Sequence, residues 1–216
     1  MILNNTYFSK GNFVKVENTF INDGMKALEF MARFQKQYGE KDIDTVINEL
    51  HDAVIGKLLG FKCVNKEKHG LDCKKDNDNE IYLESKVANW NNKTISAVFN
   101  DTTYEKAKIF SDEKVFLALS VWEDIKTPIF VCYGQNEKIG ERLATRVKIQ
   151  TKRSQRRTQN ISLKQLIKEY HFKIFPIEMS KYQLLEKIKT EKSEMLKYIT
   201  ETDIEEKTLN ISKLIL

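Results

Sequence analysis

Glu84 and Lys86 stand two residues apart inside an apolar run, "EIYLESKVAN" (80–89). In a strand, residues two apart point to the same face. A carboxylate and an ammonium on one face of a buried strand are costly unless paired or used. Acid-x-Lys triplets occur five times in this chain: at Asp72, Glu84, Asp112, Asp124 and Glu205. Those at 112, 124 and 205 fall in polar boundary or terminal segments, where solvated charge is the plain reading. Only Glu84 and Lys86 lie within a strand-like apolar run.

Asp72 supplies a second carboxylate. It sits in "LDCKK" (71–75), between Leu71 and Cys73, and a turn-rich "DNDN" (76–79) separates this run from the next. Two short runs joined by Asp and Asn predict a hairpin, which brings Asp72 across from Glu84. Two adjacent carboxylates repel unless a cation lies between them. Mg²⁺ takes oxygen ligands and often uses one or two carboxylates plus substrate phosphate. A lysine beside them can orient or help deprotonate a water and stabilise charge on phosphate. The chemistry that uses this set is metal-assisted phosphodiester hydrolysis. A structural ion-pair network is the competing reading of the same three residues.

The elements that must position these groups follow from periodicity. Residues 18–38 suit a helix, with Asn22 or Asp23 as cap. Residues 43–59 carry Ile43, Val46, Ile47, Leu50, Val54 and Leu58 at helical spacing, with Asp42 at the start and Gly60 at the stop. Glu49 falls at the edge of that stripe, one turn from Val46 and Ala53, as an auxiliary acid or an ordinary boundary residue. "FKCV" (61–64) predicts a short strand. "KVFLALSVW" (114–122) and "TPIFVCYG" (127–134) are nearly continuous apolar runs, as expected of strands covered on both faces. "DTTYEKAKIF" (101–110) predicts a helix capped by Asp101 or Thr102. "EKIGERLATRVKI" (137–149) predicts a helix, "QTKRSQRRTQN" (150–160) a loop, and "ISLKQLIKEY" (161–170) a helix capped by Ser162. "HFKIFPIEM" (171–179) predicts a strand and residues 180–199 an amphipathic helix.

"GLD" (70–72) followed by "LESK" (83–86) resembles the signature of the PD-(D/E)xK nuclease superfamily, and the compact size and basic extra segment fit its type II restriction endonucleases. Leu71 stands where the motif's name has proline. The resemblance runs from about Ile43 to Tyr133. It implies an α/β fold: a restriction-endonuclease-like αβββαβ core with a central mixed sheet flanked by helices, plus a helical and basic C-terminal part. It further implies one nuclease domain over 1–216, with its core at about 43–134. Asp72 and Glu84 would be ligands for Mg²⁺, Lys86 the catalytic lysine, and Glu49 an auxiliary acid.

Charge points to the partner. The chain of 216 residues is 41% hydrophobic and 31% charged, with a net charge of +5. From Arg142 to Lys168 there are nine Lys or Arg and no Asp or Glu. A one-sign segment in a mixed-charge chain suits a polyanion. Arg146, Lys148, Lys152, Arg153, Arg156 and Arg157 would hold phosphates, and Gln155 among them could read base edges. Asn100 and Thr102, after the active-site strand, could contact the DNA backbone, though a capping role competes there. The expected substrate is double-stranded DNA cut at a specific short sequence, with a homodimer matching a palindrome. A structure-selective or repair nuclease and a non-catalytic DNA-binding protein are the other readings.

The three cysteines, Cys63, Cys73 and Cys132, form no CxxC pair, and the three histidines do not cluster. Zinc and a disulfide framework are therefore not expected, and the thiols read as apolar residues of a reducing, cytoplasmic compartment. The first residues lack a basic region followed by an apolar core, and no apolar run approaches membrane-spanning length.

Overall fold

The computed structural model describes residues 26–27, 29–34, 36–37, 43–63, 71–75, 80–150 and 157–214. By packing, the chain falls into two units, Met1–Val46 and Ile47–Leu216. In the first, the described residues between 26 and 37 are helical, within the helix expected at 18–38.

The second unit is α/β. Helix α1 (Ile43–Leu58), of which residues 47–58 belong here, leads into β1 (Phe61–Cys63), β2 (Cys73–Lys75) and β3 (Tyr82–Asn89). β4 (Ser96–Thr102) and α2 (Tyr104–Ile109) follow, then β5 (Val115–Trp122), β6 (Pro128–Gly134) and α3 (Lys138–Gln150). β7 (Arg157–Ser162), α4 (Leu163–Lys168), β8 (Lys173–Pro176) and α5 (Lys181–Glu191) complete the regular elements. Three short 3₁₀ turns follow α5.

The central sheet has six strands in the order β1-β2-β3-β5-β6-β8. β3 and β5 run parallel; the other neighbours are antiparallel. A parallel pair needs a crossover, and β4 with α2 supplies it. β5 and β6 are buried along nearly their whole length, as their continuous apolar runs require, because both sheet faces are covered. On one face Ile55 of α1 packs with Phe61, Leu83, Ala118, Trp122 and Val131. On the other, residues of α2, α3, α4 and α5 pack with Leu117, Leu119 and Val121.

Several boundaries differ from expectation. β4 and β7 pair as a separate two-stranded antiparallel ribbon, although the first was not anticipated and the second lies partly in the expected loop. Thr103, not Asp101 or Thr102, caps α2: its Oγ1 accepts from Lys106 N at 3.2 Å. Asp101 instead has φ 50° beside the bulge where the β4–β7 register shifts. Ser162 does cap α4, in a reciprocal capping box with Gln165. The helix expected over 180–199 stops at Glu191, because Lys192 leaves helical geometry with φ −142°. Cys73 is disulfide-bonded, against the expectation of free thiols. Cys63 stands directly opposite it in the β1–β2 register, a juxtaposition that spacing along the chain does not reveal. Cys132 is a free, buried thiol.

Helices α2 and α3 approach closely at Gly140. A Cβ there would collide with Ser111 N and lie 2.8 Å from the Phe110 carbonyl carbon. Backbone cannot yield as a side-chain tip does, so Gly140→Ala must part the two helices. A loss of about 1–3 kcal/mol is expected from such overpacking, read as a lower denaturant midpoint.

Candidate active site

β3 alternates as its sequence requires. Leu83 joins the core shared with α1, and Ile81 and Val87 pack against it. Glu84 and Lys86 therefore face the other side of the sheet. Lys86 Nζ donates to Glu84 Oε1 at 2.6 Å. Glu84 is only 4% exposed, while Lys86 is half-buried, its ammonium 5.7 Å from the centre of the Phe99 ring. Parallel pairing with β5 holds the strand: Glu84 registers with Leu117 and Lys86 with Leu119. Ser120 Oγ donates to the Lys86 carbonyl at 3.2 Å and accepts from Trp122 Nε1 at 2.9 Å.

Asp72 reaches the same place from outside the ladder. β2 begins at Cys73, paired with Leu83, so Asp72 precedes the strand rather than lying within it. Beyond that last pair, Ser85 N–H has no β2 backbone opposite it. The Asp72 Oδ2 accepts from Ser85 N at 2.8 Å. One carboxylate is thus bonded to the peptide between the other carboxylate and the lysine.

Burial pushes the Glu84 carboxyl above its ordinary value of 4.5; the Lys86 ammonium opposes that rise, Asp72's charge adds to it, and Lys106 opposes it weakly. Lys106, exposed on α2, was not anticipated near the site. Its position depends on the α2 cap, which sequence placed one or two residues early. Glu49 is half-buried on α1, the helix that covers the opposite sheet face.

A raised carboxyl pKa is a stability statement. The folded state keeps the Glu84 proton to higher pH than the unfolded chain does. Stability is therefore lost as pH rises from about 4.5 through the folded value. Without divalent cation, Glu84→Gln should melt higher than wild type at neutral pH, and the gap should close below pH 4.5. Adding Mg²⁺ should raise the wild-type midpoint and leave that of Glu84→Gln nearly unmoved. Thermal melts at two pH values, with and without Mg²⁺, check both.

The two carboxylates suit a hard cation on this same ground. Asp72's charge disfavours ionisation of Glu84, and a cation between them reverses that sign. Among the described residues no group of three or more His, Cys, Asp or Glu side chains converges as a metal site. A two-carboxylate set completed by water and phosphate is the arrangement Mg²⁺ favours over an all-protein cage.

The expected DNA contacts divide. Lys152, Arg153, Gln155 and Arg156 lie outside the described residues, and Arg157 opens β7. Arg146 and Lys148 are exposed on α3. The Lys148 ammonium lies 4.7 Å, and that of Lys108 4.9 Å, from the Tyr104 ring centre. Hydrogen bonds from Lys148 and then Lys108 hold the Tyr104 phenol below its ordinary value of 10.0. Asn100 is exposed, accepting from Thr158 Oγ1 at 3.4 Å. Thr102 is instead 1% exposed, its hydroxyl donating to the Phe99 carbonyl at 3.1 Å, which removes it from any phosphate. Gln159 is likewise buried, with Nε2 donating to the Leu143 carbonyl. Arg142 and Lys168, at the ends of the one-sign segment, pair with Glu169 and Asp203 at 3.1 and 2.9 Å. The usable charge is therefore narrower than the run of nine cations suggests.

No helix among the described residues is long and apolar enough to cross a membrane. No family model matches the chain, and neither does any curated protein.

Proposed function

We propose that the chain is a Mg²⁺-dependent endonuclease that hydrolyses phosphodiester bonds of double-stranded DNA at a specific short sequence, in the manner of type II restriction enzymes. The observation that carries this reading is the bond from Ser85 N to the Asp72 carboxylate. It ties Asp72 to the backbone of β3 between Glu84 and Lys86, which themselves form an ion pair. The element order around them is in keeping with it: a helix, three antiparallel strands, a crossover made of β4 and α2, a parallel strand and an antiparallel one.

Asp72 and Glu84 would hold the ion, which when bound supplies Lewis-acid polarisation of the phosphate and offsets charge in the transition state. Glu84 positions Lys86 through the 2.6 Å ion pair. Lys86, half-buried, would stabilise charge on the phosphoryl oxygens and orient the attacking water. Burial of Glu84 removes competing water from that pair and strengthens it. A homodimer would present two such sites to a palindrome.

Plasmid DNA incubated with the protein and Mg²⁺ tests the reading. Discrete fragments, absent when EDTA replaces Mg²⁺, are expected. Cleavage confined to branched or damaged DNA would make it a structure-selective nuclease. Binding with no cleavage would make the Glu84–Lys86 pair structural.

A further inference from the structure

In a chain with 31% charged residues, an exposed sheet face is ordinarily rich in Lys and Glu. The outer face of the β4–β7 ribbon is not. Alternation turns Ala97, Phe99, Gln159 and Ile161 inward, where all are buried. Ser96, Val98 and Asn100 face out from β4, and Thr158, Asn160 and Ser162 from β7. These six are small and uncharged. Val98 stands opposite Asn160, and Ser96 opposite Ser162.

Positive charge gathers at both ends of this neutral strip. At one end Ile95 and Ser162 line a cleft of 260 Å³ with Lys93, Lys164 and Lys192, against one acid, Glu194. At the other, where β4 runs into α2, stand Lys106, Lys108 and Lys148 against Asp101 and Glu105. A neutral hydrogen-bonding strip between cationic banks complements a groove floor between two phosphate backbones. From Ser96 to Asn100 the strand spans about 14 Å, close to the roughly 12 Å width of the B-DNA major groove, which admits a two-stranded ribbon. The major groove of A-form RNA is too narrow to admit one.

We propose that the β4–β7 ribbon enters the major groove of duplex DNA and reads base edges, with Asn100 and Asn160 on adenine and Val98 on thymine methyl groups. Asparagine matches the adenine N6 and N7 edge in a bidentate pair. The proposal rests on the reading of the chain as a sequence-specific DNA enzyme, and it supplies the specificity element. It also moves that element from the polar loop to a paired strand. The inner face ties it to the site, since Phe99 lies under the Lys86 ammonium.

The test is selection by the full-length protein from short duplexes with a randomised centre, in Ca²⁺ without Mg²⁺. Wild type should enrich one adenine-containing motif, and double-stranded RNA should not compete. The double variant Asn100→Ala, Asn160→Ala should lose about tenfold or more in the ratio of motif to random affinity. Its binding to random duplex should change by less than about threefold, since phosphate contacts carry that part. Asn160→Asp, which keeps the shape and removes the donor, should shift preference from adenine toward cytosine at one position. An unchanged motif and ratio in both variants, no motif in wild type, or equal competition by RNA would each overturn the proposal. Plasmid cleavage is scored separately. A double variant that still cuts into the wild-type fragments removes the ribbon and leaves the nuclease standing. A wild type that selects a motif through Asn100 and Asn160 yet never cuts removes the nuclease and leaves the ribbon.

Discussion

Glu84→Ala and Lys86→Ala should each reduce Mg²⁺-dependent plasmid cleavage by about a thousandfold or more, the equivalent of roughly 4 kcal/mol of transition-state stabilisation. On the proposed reading Glu84 would act twice, through its own carboxylate and by holding the lysine at 2.6 Å. Its loss leaves the ammonium beside the Phe99 ring with no carboxylate to orient it. Lys86→Ala leaves the carboxylates but removes the only cation bonded to Glu84 in the described structure, so charge developing on the phosphate goes unanswered. Asp72→Asn is the gentler probe: its amide oxygen can still accept from Ser85 N–H, so the backbone stays in place while the charge is gone. Single-turnover rates, with far-ultraviolet circular dichroism to show retained fold, measure all three. A wild-type rate in either alanine variant would sink the assignment.

The part of this site that sequence reveals is the part fixed by strand period. Glu84 and Lys86 betray themselves because an apolar run with alternation of two leaves charged residues on one face only. β5 and β6 are equally plain, since a strand covered on both faces is apolar throughout. Asp72 is legible only in part. The hairpin does bring it across, but it acts from just outside β2, where the ladder has ended and a backbone N–H is open to a side chain.

The ribbon is hidden in the sequence because its signals compete. "ISAVF" (95–99) alternates well, yet the capping residues that follow it, "DTT" (101–103), draw the helix boundary backward. In β7 the buried position beside Ile161 is Gln159, whose Nε2 donates to the Leu143 carbonyl on α3. A buried polar residue erases the alternation that would mark a strand, and only the tertiary partner explains it. The Cys63–Cys73 register is of the same kind: ten residues apart in sequence, they face one another only once β1 and β2 pair.

Phe99 joins the fold to the chemistry, and its truncation should show in both. It is 1% exposed, meets Phe110 edge-on with ring centres 5.2 Å apart, and lies under the Lys86 ammonium. Phe99→Ala should cost about 3–5 kcal/mol, a large share of the 5–15 kcal/mol typical of a whole domain. A two-stranded ribbon is marginal without its packed face, so the loss should concentrate there. Amide exchange in β4 and β7 should accelerate more than in β3 and β5. Phe99→Leu separates the two roles. It keeps much of the apolar volume, at a cost of about 1 kcal/mol, but removes the ring face whose attraction for the ammonium is worth about 0.5–2 kcal/mol. Cleavage should then fall by about tenfold while ribbon amides remain protected. A Phe99→Leu variant that is less stable yet cuts at the wild-type rate would reduce the ring to packing and leave Lys86 positioned by Glu84 alone.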